Sequence, residues 1–490
     1  MGEAVTALYA LIAGAMSALG FAPLGWWPVT LAALAAWVLL VRNARSLRHA
    51  ALLGWLFAVG HFTLGLNWIA GAFRYQDAMP VWLGWLAVPA LALYLAVYPA
   101  LAAALAWRFR QHRLAYPLAF AAAWIATEWL RATMFTGFAW NPLSATLVDT
   151  PARGLTRLVG TYGLSGLVIL VAAALVDLRR LVALPAALAA LLLTGWLALG
   201  RDPGRSFLTV RVVQPNIGQH QAQDAGFEEH NFARLAALSG QPGQRARLLL
   251  WPEASVPWYL GESPMHRARI TALFGPRDVV LAGADGLDWQ GGEVIAARNS
   301  VYALDRRGVI LDRYDKSHLV PYGEYLPMRP LLTALGLSRL VPGALDFTPG
   351  PGPRTLALPG FGPVGLQLCY EIVFSGQVLD RAHRPAFLFN PSNDAWFGSW
   401  GPPQHLAQAR LRATEEGVPV VRSTPTGISA VIDARGRLLA HLPLGRAGFI
   451  ETDLPRAIAP TPFARFGNTL PLLLAAALAL AAVASARRAR

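Results

Sequence analysis

The chain contains a single cysteine, Cys369, at the end of the apolar run Val364-Gly-Leu-Gln-Leu-Cys and directly before Tyr370 and Glu371. A strand tip presents a nucleophile well, because the side chain projects from a turn and the next backbone N–H can supply half of an oxyanion hole. Taken alone, a cysteine at a strand end is more often a small buried hydrophobe. Thiolate chemistry needs a base for the proton and a cation for the anion, which directs attention to charged residues at other strand ends. Glu253, in Leu249-Leu-Trp-Pro-Glu, follows an apolar run that Pro252 stops. Lys316, in YDKSHLVPYGEYLP from Tyr314, stands among basic residues that are overwhelmingly arginine. A lysine approaches an oxyanion as a compact charge that burial can tune, and an arginine does not. Read singly, each is also an ordinary solvated loop charge.

In that order, and each at the end of a β-rich run, Glu253, Lys316 and Cys369 resemble the Glu-Lys-Cys triad of the nitrilase superfamily. The embedding is more specific. YDKSHLVPYGEYLP, LCYE around the cysteine, FNPSNDAWFG and QHLAQARLRATEEGVPVVRSTPTGISAVID closely resemble the bacterial apolipoprotein N-acyltransferases, as do GFAPLGWWP and TEWLRATMFTGFAWN nearer the N-terminus. The resemblance covers essentially the whole chain. It implies a membrane α-helical bundle of eight transmembrane helices plus an α/β nitrilase-like α-β-β-α sandwich between the last two.

Carried over by position, the resemblance makes Cys369 the nucleophile, Glu253 the general base and Lys316 the stabiliser of the tetrahedral intermediate, with the Tyr370 N–H as second oxyanion donor. Glu324 and Glu371 match further carboxylates beside the triad; both also read as ion-pair or turn residues. Trp396 and Phe397 are candidate lid or acyl-chain contacts, or core packing. Asn299 is a candidate substrate contact, although Arg298 stands where the pattern has an aromatic. Glu128 and Arg131 lie where ionisable groups are costly, as a substrate site or a structural pair, and His61 reads as a packing residue. His318 and His405 belong to no cluster with ligand spacing, so no metal and no cofactor are expected. The implied reaction moves an acyl chain from a phospholipid, through a Cys369 thioester, to the free α-amine of a lipoprotein's N-terminal diacylglyceryl-cysteine. The protein is expected to act as a monomer and to bind no nucleic acid.

The elements that must position these residues follow from composition. With 55% hydrophobic and 14% charged residues and a mean hydropathy of +0.40, the chain is too apolar for a soluble protein. A bilayer core of about 30 Å needs about 20 apolar helical residues, and such segments run 5–22, 26–41, 50–72, 81–107, 115–131, 159–177, 181–199 and 469–485. Every even-numbered exit is basic: Arg42, Arg45 and Arg48; Arg108, Arg110 and Arg113; Arg179 and Arg180; Arg487, Arg488 and Arg490. Odd-numbered exits are poorer, with Arg74 offset by Asp77, so both termini are expected in the cytoplasm and the interval 202–466 on the outer side, which the resemblance implies is the periplasm of a bacterial inner membrane. The net charge of +14, from 42 Lys plus Arg against 28 Asp plus Glu, is then topology and lipid-surface charge. Residues 1–6 lack the basic start of a signal peptide, so the first segment is expected to stay attached.

Three parts result: 1–201, seven transmembrane helices; 202–466, a periplasmic carbon-nitrogen hydrolase-like catalytic domain; and 467–490, the eighth helix and a basic tail. Within the domain, β-rich runs are expected at 208–213, 247–251, 279–283, 300–304, 309–314, 364–369, 386–390, 418–422, 429–433 and 448–452, with helices at 228–238 and 404–416.

Overall fold

The apolar N-terminal segments all become helices in the computed structural model, which describes residues 2–76, 79–176, 184–243, 245–338, 340 and 346–488. Asp77, Arg179, Arg180 and Arg490 of the charge pattern lie outside the described residues. The helices are α1 (Glu3–Ser17), α2 (Trp27–Arg42), α3 (Leu47–Gly65), α4 (Ile69–Ala72), α5 (Leu83–Leu95), α6 (Val97–Trp107), α7 (Ala115–Thr133), α8 (Thr156–Leu175) and α9 (Leu184–Leu199). Two expected segments are not continuous. The third bends by 49° between Leu47–Gly65 and Ile69–Tyr75. The fourth divides at Ala96, where Pro99 has no N–H to give the Leu95 carbonyl and its ring disturbs that turn.

Among the described residues, four helical stretches are long and apolar enough to cross a bilayer: Glu3–Gly20, Leu83–Trp107, Pro151–Leu175 and Thr469–Arg488. The bent pair makes a fifth, and Trp27–Arg42 and Pro185–Leu199 are apolar but shorter. Helix α7 carries Glu128 and Arg131 close to its end. Helices α1 and α3 cross closely enough to require glycine: a Cβ on Gly14 would lie 1.8 Å from the Phe57 carbonyl oxygen, and one on Gly60 2.2 Å from that of Leu11.

The domain that follows contains β1 (Arg205–Gln214), α10 (Gln219–Gln223), α11 (Glu228–Ser239), β2 (Arg247–Leu250), α12 (Pro264–Thr271), β3 (Val279–Gln290), β4 (Glu293–Asp305), β5 (Ile310–Asp315), α13 (Arg329–Ala334), β6 (Thr355–Leu358), β7 (Gly362–Leu366), β8 (Phe387–Pro391), α14 (Gly401–Glu416), β9 (Val420–Ser423), β10 (Ala430–Ile432), β11 (Leu438–His441) and β12 (Gly448–Pro455). They form two six-stranded sheets, ordered β12-β1-β2-β3-β4-β5 and β11-β10-β9-β8-β7-β6. Strands β1, β2 and β3 are parallel, as are β7, β8 and β9, and the outer strands of both sheets run antiparallel. The central strands read as unbroken apolar runs because both faces are covered.

Val212, Leu250 and Leu281 of one sheet meet Leu366, Phe387 and Phe389 of the other between the sheets. Phe232 and Leu235 of α11 and Ile270 of α12 cover the outer face of the first sheet. Leu406, Ala409 and Ala413 of α14 cover the second, in a cluster that also holds Phe62, Trp140 and Tyr162 of the membrane part. Helix α14 is therefore packed between a sheet and the helix bundle. The short edge strands β6 and β11 were not anticipated, and the hairpin β3–β4 extends beyond its expected runs through polar residues to a Gly291-Gly292 turn. Conversely β7 stops at Leu366 instead of reaching Cys369.

The final elements, α15 (Pro462–Phe466) and α16 (Thr469–Arg488), return the chain to the bundle. Polar groups join the two parts. Gln404 accepts from Trp140 Nε1 at 2.9 Å and Asn141 Nδ2 at 3.0 Å and donates to Gly65 O at 3.2 Å. Arg157 of α8 donates to the Leu199 and Ala434 carbonyls at 2.7 and 2.6 Å. Glu415 accepts from the Thr161 N–H at 2.6 Å and from Ser375 Oγ at 2.9 Å, and pairs with Arg412 at 2.6 Å, both side chains fully buried.

Removing one partner of a buried pair costs about 3–5 kcal/mol, because the other charge is stranded. Glu415→Ala should therefore lower the melting temperature in detergent far more than Glu3→Ala, whose partner Arg45 is exposed. Equal melting temperatures would show that the two parts are not joined here.

Candidate active site

Three strand ends converge. Glu253 follows β2 after Pro252, and the chain turns away at Ala254, φ 45°. Lys316 follows β5, with its N–H given to the Asn299 carbonyl at 2.9 Å. Cys369 lies just past β7. Lys316, the only lysine in the chain, is 1% exposed. Its Nζ donates to Glu253 Oε1 at 3.2 Å and Glu324 Oε1 at 2.9 Å. Asn299, from β4, donates through Nδ2 to the same two oxygens, each at 2.8 Å. The Asn393 N–H holds Glu253 Oε2 at 2.7 Å, and the Val320 N–H holds Glu324 Oε2 at 2.8 Å.

Arg298, the departure from the family pattern, points to the other face of β4, where it donates to Asp288 Oδ2 at 2.5 Å and the Pro349 carbonyl at 2.8 Å. The substitution therefore leaves Asn299 facing the carboxylates.

Cys369 opens a short 3-10 turn (Cys369–Val373) with φ 47°, the left-handed region, which costs a non-glycine residue about 1–3 kcal/mol. That conformation ends the strand and sharpens the elbow. Glu371 braces it from one side, accepting from the N–H groups of Leu368 at 2.6 Å, Ser317 at 2.6 Å and His318 at 3.1 Å, from Ser317 Oγ at 2.6 Å and from Tyr314 Oη at 3.0 Å. One carboxylate thus ties the lysine loop to the cysteine elbow. Burial pushes its pKa up, and the donors around it work in the opposite direction.

Burial, then the negative charge of Glu253, push the Cys369 thiol well above the usual range, while Lys316 and the Asn393 N–H act to lower it. On balance these influences favour the neutral thiol over the thiolate. Burial opposes the Lys316 charge, but Glu253 and Glu324 outweigh it and raise its pKa, so the ammonium is permanent at physiological pH. The arrangement brings a buried thiol, a carboxylate and a fixed cation together.

The structure also brings in a residue that sequence reasoning missed. Asp285, paired with Asn299 across β3–β4, has a pKa raised to about 6 by burial, then by Glu324 and Glu253. Its signal was hidden in the polar half of a strand whose apolar half alone was recognised.

The remaining candidates lie around the elbow. The Tyr370 ring is buried, facing Trp140 at 6.4 Å and Phe374 at 5.1 Å. Phe397 packs on Trp68 and Trp140 at 4.6 and 5.6 Å, and Trp396 on Tyr75 at 5.5 Å, so both sit half-buried where the domain meets the helices. The His318 ring places Nε2 3.1 Å from the Thr136 carbonyl, and burial lowers its pKa to about 4. Glu128 accepts from the Leu143 N–H at 2.9 Å and Arg131 donates to the Trp140 carbonyl at 2.8 Å, which makes both braces of the 138–143 segment. His61 Nδ1 lies 2.7 Å from Ser17 Oγ. Cys369, Asp394 and His405 come within 4.8 Å of one another, a metal-like grouping that the sequence did not reveal. The fully buried Arg422 guanidinium contacts both Asp394 oxygens and His405 Nδ1, so a cation already occupies those donors.

Residues 13–174 match the family described as apolipoprotein N-acyltransferase N-terminal domain, and residues 209–461 match carbon-nitrogen hydrolase. The chain is 36% identical to an apolipoprotein N-acyltransferase of Rhodopseudomonas palustris over 98% of this chain and 95% of that protein. It is 37% identical to one of Bradyrhizobium diazoefficiens over 97% and 94%. Among solved structures, a nitrilase-superfamily protein of Saccharomyces cerevisiae covers 51% of this chain and 90% of its own at 19% identity and a TM-score of 0.36. An amidase of Nesterenkonia covers 56% and 96% at 17% identity and a TM-score of 0.34.

The electrostatics predict slow alkylation of Cys369 by iodoacetamide at neutral pH, accelerating only above the ordinary thiol range of about 8.5. Lys316→Met removes the cation that favours thiolate, so the profile should move to still higher pH and the rate at pH 8 fall about tenfold or more. A wild-type midpoint below about 8.5 would contradict the raised thiol.

Proposed function

The chain belongs to the apolipoprotein N-acyltransferase family, and from that premise we propose that it transfers an acyl chain from a phospholipid to the free α-amine of a lipoprotein's N-terminal diacylglyceryl-cysteine, giving triacylated lipoprotein. The observation that carries this reading is a buried thiol acted on by Glu253 and Lys316 in a domain whose outer layer packs against membrane helices. Glu253 takes the Cys369 proton, and the sulfur attacks the ester carbonyl. Lys316 and the Tyr370 N–H stabilise the oxyanion. Collapse breaks the ester C–O bond, Glu253 returns the proton to the departing lysophospholipid oxygen, and a thioester remains. The neutral acceptor amine then attacks, the C–N bond forms and the C–S bond breaks, and the amine proton passes through Glu253 to sulfur.

Glu324 and Asn299 fix the ammonium and the base relative to each other, and Glu371 fixes the elbow relative to both. Trp396 and Phe397 border the route for acyl chains. The protein is read as a monomer of the bacterial inner membrane with eight spans, parts 1–201, 202–466 and 467–490, the catalytic domain periplasmic and both termini cytoplasmic. Arg42, Arg45 and Arg48, Arg108, Arg110 and Arg113, and Arg487 and Arg488 support that orientation.

Wild-type protein incubated with phospholipid should gain a hydroxylamine-sensitive acyl adduct by intact mass, absent from Cys369→Ala and formed about 10²–10⁴-fold more slowly by Glu253→Gln. A diacylated lipopeptide with a free amine should discharge it into a triacylated product; discharge by water alone would instead indicate a membrane-tethered hydrolase. A reporter fluorescent only in the cytoplasm should light up when fused after Arg488 and stay dark when inserted at Gly291, and the reverse would overturn the orientation.

A further inference from the structure

Two side chains converge on the backbone carbonyl of the nucleophile. His405 Nε2 lies 3.0 Å from Cys369 O, and Asn390 Nδ2 donates to it at 3.4 Å. The proton on Nε2 follows from its carbonyl partner, and the other ring nitrogen is held among charged groups. Nδ1 lies 2.9 Å from Arg422 Nη2 and 3.0 Å from Asp394 Oδ1. A backbone carbonyl oxygen only accepts, so Nε2 carries a proton and donates to Cys369 O, while Nδ1 lies between a guanidinium donor and a carboxylate acceptor. Burial, then Arg422, lower the His405 pKa, in keeping with a neutral ring.

Arg422 sets the second donor as well. Its Nη1 donates to Asn390 Oδ1 at 2.5 Å, which turns the Asn390 amide nitrogen toward the Gln367 and Cys369 carbonyls. Its Nη2 donates to Asp394 Oδ1 and Oδ2 at 2.6 and 2.5 Å. Asp394 adjoins Asn393, whose N–H holds Glu253. Arg422, Asp394, His405 and Asn390 are each at most 1% exposed.

The Cys369 carbonyl and the Tyr370 N–H belong to one planar trans peptide, so they point in opposite directions. Drawing the carbonyl toward His405 therefore directs the Tyr370 N–H the other way. We propose that His405, oriented by the Arg422–Asp394 pair and assisted by Asn390, is a positioning residue that locks the Cys369–Tyr370 peptide and so keeps the oxyanion hole formed. The inference rests on the acyl-transfer reading above. Without the lock, the peptide following a left-handed cysteine is free to rotate, and the carbonyl can replace the N–H beside the developing charge.

The test compares two reactions of the same sulfur in the full-length protein. Acylation by phospholipid passes through an oxyanion; alkylation by iodoacetamide forms C–S and breaks C–I without one. His405→Leu should slow acylation about 100-fold or more, the loss typical of an oxyanion donor, while alkylation across pH changes less than about threefold. His405→Gln, which keeps an N–H donor, should regain about tenfold or more. Parallel losses in both reactions, unchanged acylation, or a Gln variant no better than Leu would each overturn the proposal. If His405→Leu does not fold, Asn390→Ala serves: a selective several-fold loss of acylation supports the lock, and a parallel loss or none overturns it. A wild type that forms no acyl adduct would instead overturn the acyl-transfer reading itself.

Discussion

The buried ammonium of Lys316 sets the terms for the rest of the catalytic domain. A charge taken out of water is stable only if close partners repay its lost hydration, and here they are two carboxylates and a bridging amide drawn from β2, β4 and the loop after β5. Their geometry must hold before a substrate arrives. Glu253 and Glu324 have no other cation among the described side chains that touch them, so loss of Lys316 would leave two buried like charges facing each other. Burial first, and then the negative charge of Glu253, push the Cys369 thiol well above its usual range.

A second constraint is the elbow. Cys369 occupies a backbone region that a side chain disfavours, and the surrounding network holds it there from both sides. Glu371 gathers donors from the lysine loop and the residue before the cysteine, while His405 and Asn390 reach the carbonyl after it. The first brace ties the cysteine elbow to the Lys316 loop. The second adjoins Asp394, whose neighbour Asn393 gives its N–H to Glu253.

The membrane bundle supplies more than an anchor. Helix α14 carries His405 on one side of the site and Gln404, Arg412 and Glu415 toward the bundle, where they meet Trp140, Asn141 and Thr161. The aromatic residues Trp68, Trp140, Phe397 and Tyr370 form a continuous contact from the helices to the elbow. A site built at that junction meets acyl chains from the bilayer without requiring their extraction into water.

The sequence by itself determined the apolar helices, most strands, and the placing of Glu253, Lys316 and Cys369 at strand ends, because each is signalled by neighbours in the chain: a hydrophobic run, its period and the polar residue that ends it. The sole cysteine and sole lysine made that signal unusually clear. Tertiary structure decided what local patterns do not encode. The left-handed Cys369, the inward turn of Asn299, the approach of Asp285 and the use of Arg422 as a hub depend on residues well separated along the chain. Their physical reason is shared: a buried polar group must find its partners wherever the packed chain brings them, and only the folded arrangement states where that is.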